Sequence, residues 1–294
     1  MELRQLTTFR MVATLLSFSR AAESLNYVQS SVTTQIQVLE EELGVRLFDR
    51  LGKRVALTDA GKRLLQYTER ILHLVEEAHS VVTNEEIPGG TLTITAPETL
   101  CSYRLPALLR QFRARFPQVK LIFRLSTFID PWRSVSEGSA DIAFAIAEPI
   151  HSNMLVTEIL IPEPLLLLAP HDHRLSQLPV IDPMDFDGET FLLTEIGSYR
   201  NVLERALNEV GVHLTINLDF SSVEAIKQCA MAGMGIAFLP AVTVAADVAQ
   251  GRLAVLNWEG HNFQICTQVM WHKEKWISPA IGAFLDMARE VLSA

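Results

Sequence analysis

Ser24 to Leu39, SLNYVQSSVTTQIQVL, is a run of sixteen residues without one charged side chain, set in an N-terminal segment otherwise dense in Arg and Glu. Within it Val32, Ile36 and Leu39, followed by Leu43, recur at helical spacing, so one face is apolar and packs inward. The opposite face carries Gln29, Ser30, Ser31, Thr33, Thr34 and Gln37. An ordinary surface helix fills its outer face with Glu and Lys, which favour the helix and pair with one another. Short neutral donors and acceptors are instead what base edges and phosphate oxygens require. The run reads as a recognition helix, although a helical hairpin buried in a core has a similar apolar pattern.

Its flanks separate the two readings. On the N-terminal side, Ser19 can cap a short helix carrying Ala21, Ala22 and Leu25, and Asn26 can take the left-handed conformation that ends it. Small alanines let two helices cross closely, as a helix-turn-helix needs at its inner contact. On the C-terminal side, Glu40, Glu41 and Glu42 precede two short strand-like pieces around the basic tip Gly52-Lys53-Arg54. Such a wing can lay Lys53 and Arg54 along phosphates or into a minor groove, with Arg50 on the backbone beside the recognition helix. A hairpin whose basic tip is merely solvated has the same sequence.

Phe18-Ser19-Arg20-Ala21-Ala22-Glu23-Ser24-Leu25, Gln29-Ser30, Gln35-Ile36, Leu39-Glu40 and Leu43-Gly44-Val45-Arg46-Leu47-Phe48-Asp49-Arg50 together resemble the N-terminal signature of LysR-type transcriptional regulators. The resemblance implies an α/β protein with an N-terminal winged helix-turn-helix, a long dimerising linker helix and a C-terminal two-lobed effector domain like the periplasmic binding proteins. By the same resemblance Gln29, Ser30, Thr33 and Thr34 face the major groove, Arg50 contacts phosphate and the wing carries Lys53 and Arg54. The implied partners are double-stranded DNA at a dyad-symmetric operator, a small-molecule effector and further copies of the chain, as homodimers that pair into tetramers. Two positions depart from the family pattern. Val28 stands where a capping Ser is usual, and Thr34 where Arg or Lys is frequent, which implies fewer charge-assisted contacts and a shallower salt dependence.

The chain has 294 residues, enough for two or more domains, and a net charge of −9 that at first argues against nucleic acid. Met1 to Thr58 is net +1 and the remainder net −10, so DNA affinity depends on where the few cations lie. No apolar segment with a cleavage site opens the chain, and a cytoplasmic protein is expected. The uncharged run from Gln228 to Ala246 is broken by Gly233, Gly235 and Pro240 and reads as helix, strand and helix, not a membrane span. Cys101, Cys229 and Cys266 are too few and scattered for a disulfide framework or zinc site, and three reduced thiols are expected.

From Asp59 to about Asn84 nothing breaks a helix once Gly61 is passed, and Thr58 is its cap. Leu64, Thr68, Ile71, Val75, Ala78 and Val82 follow in steps of four and three, a heptad seam on a helix of ~40 Å. So narrow a stripe needs a partner, and the alternatives are a second copy or the chain's own C-terminal domain. The divisions expected are a DNA-binding domain at 1–58, a linker and hinge at 59–90 ending in Pro88-Gly89-Gly90, and an effector domain at 91–294. Lobe I takes about 91–162 and 267–294, lobe II about 163–266.

Beyond the hinge, strands at Thr91 to Ala96, Val119 to Leu125, Asp141 to Ile146, Leu165 to Ala169, Phe191 to Thr194, Thr215 to Phe220, Gly235 to Leu239 and Phe263 to Trp271 alternate with helices. That alternation implies largely parallel sheets with ligand sites at the carboxyl ends of strands. The resemblance adds two crossovers, placed near Ile161 to Glu163 and near Cys266 to Gln268, with the last helix, Pro279 to Leu292, returning to the first lobe. The strand ends nominate an effector pocket of Thr99, Leu100, Cys101, Ser102, Thr127, Phe128, Thr194, Ser198, Tyr199 and Ser222. The helix start near Thr99 would suit a carboxylate or similar anion, although each group separately is also ordinary turn and capping chemistry. Cys101 at a helix start would have a lowered pKa, a possible sensing thiol. His171 and His173 alternate in a turn without a third ligand, and no metal is expected. There is no G-x-x-x-x-G-K, G-x-G-x-x-G after a strand, G-x-S-x-G or H-E-x-x-H, so neither a cofactor nor catalysis is expected. A DNA-binding domain fused to an enzymatic or protein-interaction domain is the alternative.

Overall fold

The computed structural model describes residues 1–51, 54–83, 87–126, 132–194, 197–258 and 263–292; at positions 50, 51, 54, 76, 77, 80, 81, 83, 215–217 and 219 it covers the backbone alone. Two compact units emerge, one built on residues 1–86 and the other on residues 87–136 and 140–294.

The first unit runs α1 (Leu3–Leu15), α2 (Phe18–Ser24), α3 (Gln29–Leu43), a hairpin of β1 (Phe48–Leu51) and β2 (Arg54–Leu57), and the long α4 (Asp59–Thr83). Phe9, Val12, Ala21, Ala22, Val32, Ile36, Leu39 and Phe48 form its core. The Phe48 ring lies 5.4 Å from Phe9 and 5.7 Å from Phe18, which seats the wing on the helices. Asn26 has φ 54°, as the tight turn between α2 and α3 demands. The cap of α2 is Ser17 rather than Ser19, since the Arg20 N–H donates to Ser17 Oγ at 3.3 Å and Ser19 already lies in the first turn. Leu43 is 38% exposed, because Gly44 at φ 68° ends the helix there. Gln35 joins the buried face instead, with Oε1 accepting from Thr8 Oγ1 at 2.7 Å. Glu40 anchors the wing, one carboxylate oxygen accepting from the N–H groups of Leu47 and Phe48 at 2.7 and 3.2 Å.

Thr58 caps α4, its Oγ1 accepting from the Gly61 N–H at 3.0 Å. A Cβ at Gly61 would lie 2.2 Å from the Leu47 carbonyl oxygen, so only glycine lets the helix start this close to the wing. The expected seam divides along α4. Leu64 packs on the core and Thr68 is fully buried within the single chain; Ile71 is half-buried, while Val75, Ala78 and Val82 are exposed.

The second unit holds β3 (Thr91–Ala96), α5 (Glu98–Tyr103), α6 (Leu105–Arg115), β4 (Lys120–Leu125), α7 (Arg133–Ser136), β5 (Ile142–Ala147), β6 (Leu155–Pro162) and β7 (Leu165–Ala169). It continues through β8 (Thr190–Thr194), α8 (Ser198–Glu209), β9 (Thr215–Phe220), α9 (Val223–Met231), β10 (Ile236–Pro240), α10 (Ala241–Ala249), β11 (Ala254–Leu256), β12 (Cys266–His272) and α11 (Pro279–Leu292). One sheet has the order β4-β3-β5-β12-β6, the other β11-β7-β10-β8-β9. These are the two lobes. Glu163 and Pro164 form the first crossover; the second precedes Cys266, so Cys266 to Gln268 are strand rather than linker. Helix α11 packs on α6 and β6, back on the first lobe.

The sheets are mixed, not largely parallel. β3, β4 and β5 run parallel, as do β8, β9 and β10, but β12 pairs antiparallel with β5 and β6, and β7 antiparallel with β10 and β11. Strands arriving from the opposite lobe have no local helical crossover to turn them parallel. The uncharged run from Gln228 to Ala246 forms the end of α9, β10 and most of α10, and among the described residues no helix is long and apolar enough to cross a membrane. Gly235 approaches Thr190 so closely that a Cβ would lie 2.5 Å from its carbonyl oxygen, which explains the glycine before β10.

Candidate nucleic-acid interface and inter-lobe cleft

Burial of Val32, Gln35, Ile36 and Leu39 turns the other face of α3 outward. Gln29, Ser30, Thr34 and Gln37 are exposed there, and Ser31 and Thr33 are half-buried at its edges. Val28 is the residue before the helix and provides no side-chain cap, as its identity implies. Ser19 Oγ donates to Gln29 Oε1 at 2.9 Å, a tie between α2 and the start of α3 that sequence reading missed. Lys53 lies outside the described residues, as do the side chains of Arg50 and Arg54, whose backbones belong to β1 and β2.

In the second unit, α5 of the first lobe meets the starts of α8 and α9 of the second. The Thr99 hydroxyl lies close to that of Tyr199, and Ser222 Oγ donates to Glu98 Oε1 at 3.3 Å. Tyr103 OH donates to Glu224 Oε2 at 3.1 Å and accepts from Lys227 Nζ at 3.3 Å. Lys227 also pairs with Glu224 at 2.7 Å and with the buried Asp247 at 3.5 Å. Burial raises the Tyr199 hydroxyl far above its ordinary pKa and Glu163 adds to the effect, so the phenol stays a neutral donor.

Glu163 is the hub of the hinge. Its carboxylate is wholly buried, receives Arg104 Nε and Nη2 at 3.0 Å each and accepts from Thr267 Oγ1 at 2.7 Å. Its N–H donates to the Ile265 carbonyl at 2.8 Å, joining the two crossovers. Farther along the lobe boundary, Arg205 bonds Glu148 at 2.6 Å beside a cavity of about 250 Å³ lined by Val202, Ala206, Glu209 and Phe263.

Of the residues expected at the effector site, the fold brings Thr99 to Tyr199 and sets Ser222 beside Glu98. Thr194 is buried at the end of β8, Ser198 is half-buried, and Ser102 is exposed. Thr127 and Phe128 lie outside the described residues. Leu100 is a correction: it is fully buried in the core, because α5 turns this position away from the cleft. Cys101 is another. Burial pushes its thiol up, the Glu98 carboxylate pushes the same way, and Sγ points to the Ala96 carbonyl at 3.7 Å. The anion expected at the start of α5 meets the chain's own Glu98 there, on a helix of only six residues. His173 is a cap, its Nδ1 accepting from the Leu175 N–H at 3.2 Å.

The model of bacterial regulatory helix-turn-helix proteins of the lysR family matches residues 3–62, and the model of the LysR substrate binding domain matches residues 85–293. An uncharacterized HTH-type transcriptional regulator of Bacillus subtilis (strain 168), YwqM, is 44% identical over 293 residues, 99% of each chain. The HTH-type transcriptional regulator GltR of the same organism is 33% identical, over 99% of this chain and 97% of GltR. Among solved structures, full-length CbnR in complex with its target DNA has the same fold, with a TM-score of 0.70 at 24% identity over 100% of both chains. With family models matching nearly its whole length, the chain belongs to the LysR family of bacterial helix-turn-helix transcriptional regulators.

Proposed function

We propose that residues 1–58 read a dyad-symmetric operator, that residues 59–90 dimerise and link, and that residues 91–294 sense a small polar effector held between the lobes. The observation that carries the reading is the exposed face of α3: Gln29, Ser30, Thr34 and Gln37 present neutral donors and acceptors beside a hairpin wing. Gln29, Ser30, Ser31, Thr33, Thr34 and Gln37 supply base discrimination, and Arg50, Lys53 and Arg54 supply phosphate contacts. The effector acts by population shift, favouring one disposition of the lobes and so one operator affinity or bend. The protein acts in the cytoplasm, as a homodimer or pair of dimers, and carries out no catalysis.

The test is a gel-shift and bending assay on DNA selected from a random library by the full-length protein, with and without a metabolite found by thermal shift. The reading expects selective binding, and an affinity or bend that changes with the metabolite. Equal affinity for selected and random DNA would refute the operator; an unchanged affinity and bend with a bound metabolite would refute the coupling.

A further inference from the structure

Ser19 lies on α2 and is exposed, yet it is not the cap of its helix; that role belongs to Ser17. Its hydroxyl is directed at Gln29, the first residue of α3, donating to the amide oxygen at 2.9 Å. The carboxamide is thereby oriented. Its oxygen faces α2, and its Nε2, a donor with two N–H groups, is left to face outward.

We propose that Ser19 is a positioning residue that sets the base preference of Gln29, making its amide read a hydrogen-bond acceptor, guanine O6 and N7 above all. The inference rests on α3 being the recognition helix. A freely rotating Gln pairs bidentately with adenine, accepting from N6 and donating to N7. With the amide oxygen turned to Ser19, the adenine N6 amino group loses its acceptor, whereas the acceptor edge of guanine suits the outward Nε2. The bond is solvated in the free protein and strengthens when DNA excludes water from it.

The test is a double-mutant cycle on DNA selected from a random library by the wild-type protein, with each base pair of one half-site varied in turn. The readout is the ratio of affinities for guanine and adenine at the pair whose preference Gln29→Ala abolishes. Ser19→Ala should lower that ratio roughly three- to tenfold, the range of one hydrogen bond, with average affinity nearly unchanged. Ser19→Thr, which keeps the hydroxyl, should restore it, and Ser19→Ala should add nothing in the Gln29→Ala background. Three results overturn the proposal: an unchanged ratio in Ser19→Ala, an equal loss on every sequence, which marks a phosphate contact, or additivity of the two substitutions. If Gln29→Ala itself alters no base preference, the recognition-helix reading of Gln29 fails as well.

Discussion

Replacing Glu163 by Gln removes one charge from the hinge and almost no volume. The native carboxylate accepts from Arg104 at both oxygens and from Thr267 at one, with its side chain wholly buried. Gln keeps a single acceptor oxygen and turns an NH2 group toward a donor of Arg104. Each hydrogen bond to a charged group is worth about 1.5–3 kcal/mol, and breaking a buried pair costs about 3–5 kcal/mol. Arg104 keeps 26% of its side chain exposed and can recruit water, so Glu163→Gln should cost about 3 kcal/mol, the low end of that range. Arg104→Leu should be worse, about 4–5 kcal/mol, because it leaves the carboxylate buried without its cation. For a unit of this size, about 1 kcal/mol moves the melting midpoint by about 2–4 °C.

Urea unfolding followed by tryptophan fluorescence isolates the effect, because Trp132, Trp258, Trp271 and Trp276 all belong to the second unit. The double variant Arg104→Leu/Glu163→Leu should recover much of the loss, since an apolar pair needs no compensation. If Glu163→Gln proves as harmful as Arg104→Leu, or if both cost under about 1 kcal/mol, the buried ion pair is not what holds the hinge.

Gly61→Ala should gain about 1 kcal/mol in helix propensity and still destabilise the first unit by about 2 kcal/mol net, because the new methyl collides with the Leu47 carbonyl; calorimetry showing a stabilised variant would refute this. Tyr103→Phe should loosen the lobes, read as a broader distance distribution between spin labels placed across the cleft. The hydrogen bond from Lys227 holds the Glu224 carboxyl below its ordinary pKa, so this clasp is complete above the ordinary carboxylate range and lost as pH falls through the lowered value. Wild-type distances should therefore widen in acid, and distances that stay constant while the Glu224 carboxyl is seen to protonate by NMR would exclude the clasp. Val75→Glu together with Val82→Glu should convert dimers to monomers in sedimentation, whereas substitution at Thr68, buried in the single chain, should destabilise before it dissociates.

The local signals carried far. Helical spacing in Ser24–Leu39, the Asn26 turn, the Thr58 cap and the Pro88-Gly89-Gly90 break each have short-range causes, and α3, the wing and α4 stand where those signals put them. The effector domain was less legible because its decisive pairings are long-range. No local signal announces β6, and β12 begins where a crossover is expected, since strands paired across a double crossover leave no mark of direction in their own residues. Alternation places Leu100 and Cys101 near the cleft, but the short α5 turns Leu100 into the core. Glu98, Arg104 and Glu163 were missed, although a lone carboxylate within Ile159-Leu160-Ile161-Pro162-Glu163-Pro164-Leu165-Leu166 was a signal: so apolar a run keeps a charge only with a partner waiting.

The neutral face of α3 has an energetic consequence that salt can measure. If Arg50, Lys53 and Arg54 are the phosphate contacts of each protomer, a dimer releases about six counterion equivalents, and log K should fall with log salt at a slope of about −5. Between 50 and 200 mM salt that amounts to about a thousandfold loss of affinity. Thr34 occupies an exposed position of the recognition face without charge. Thr34→Arg should add about one contact per protomer, steepen the slope by about 2 and tighten binding to random DNA more than to the selected site. A steeper slope with unchanged preference would mean that Thr34 faces phosphate only. An unchanged slope would remove Thr34 from the interface. The intermediate result, tighter binding with eroded discrimination, is the one expected of a domain of net +1 in which short neutral side chains distinguish bases and a few wing cations supply the grip.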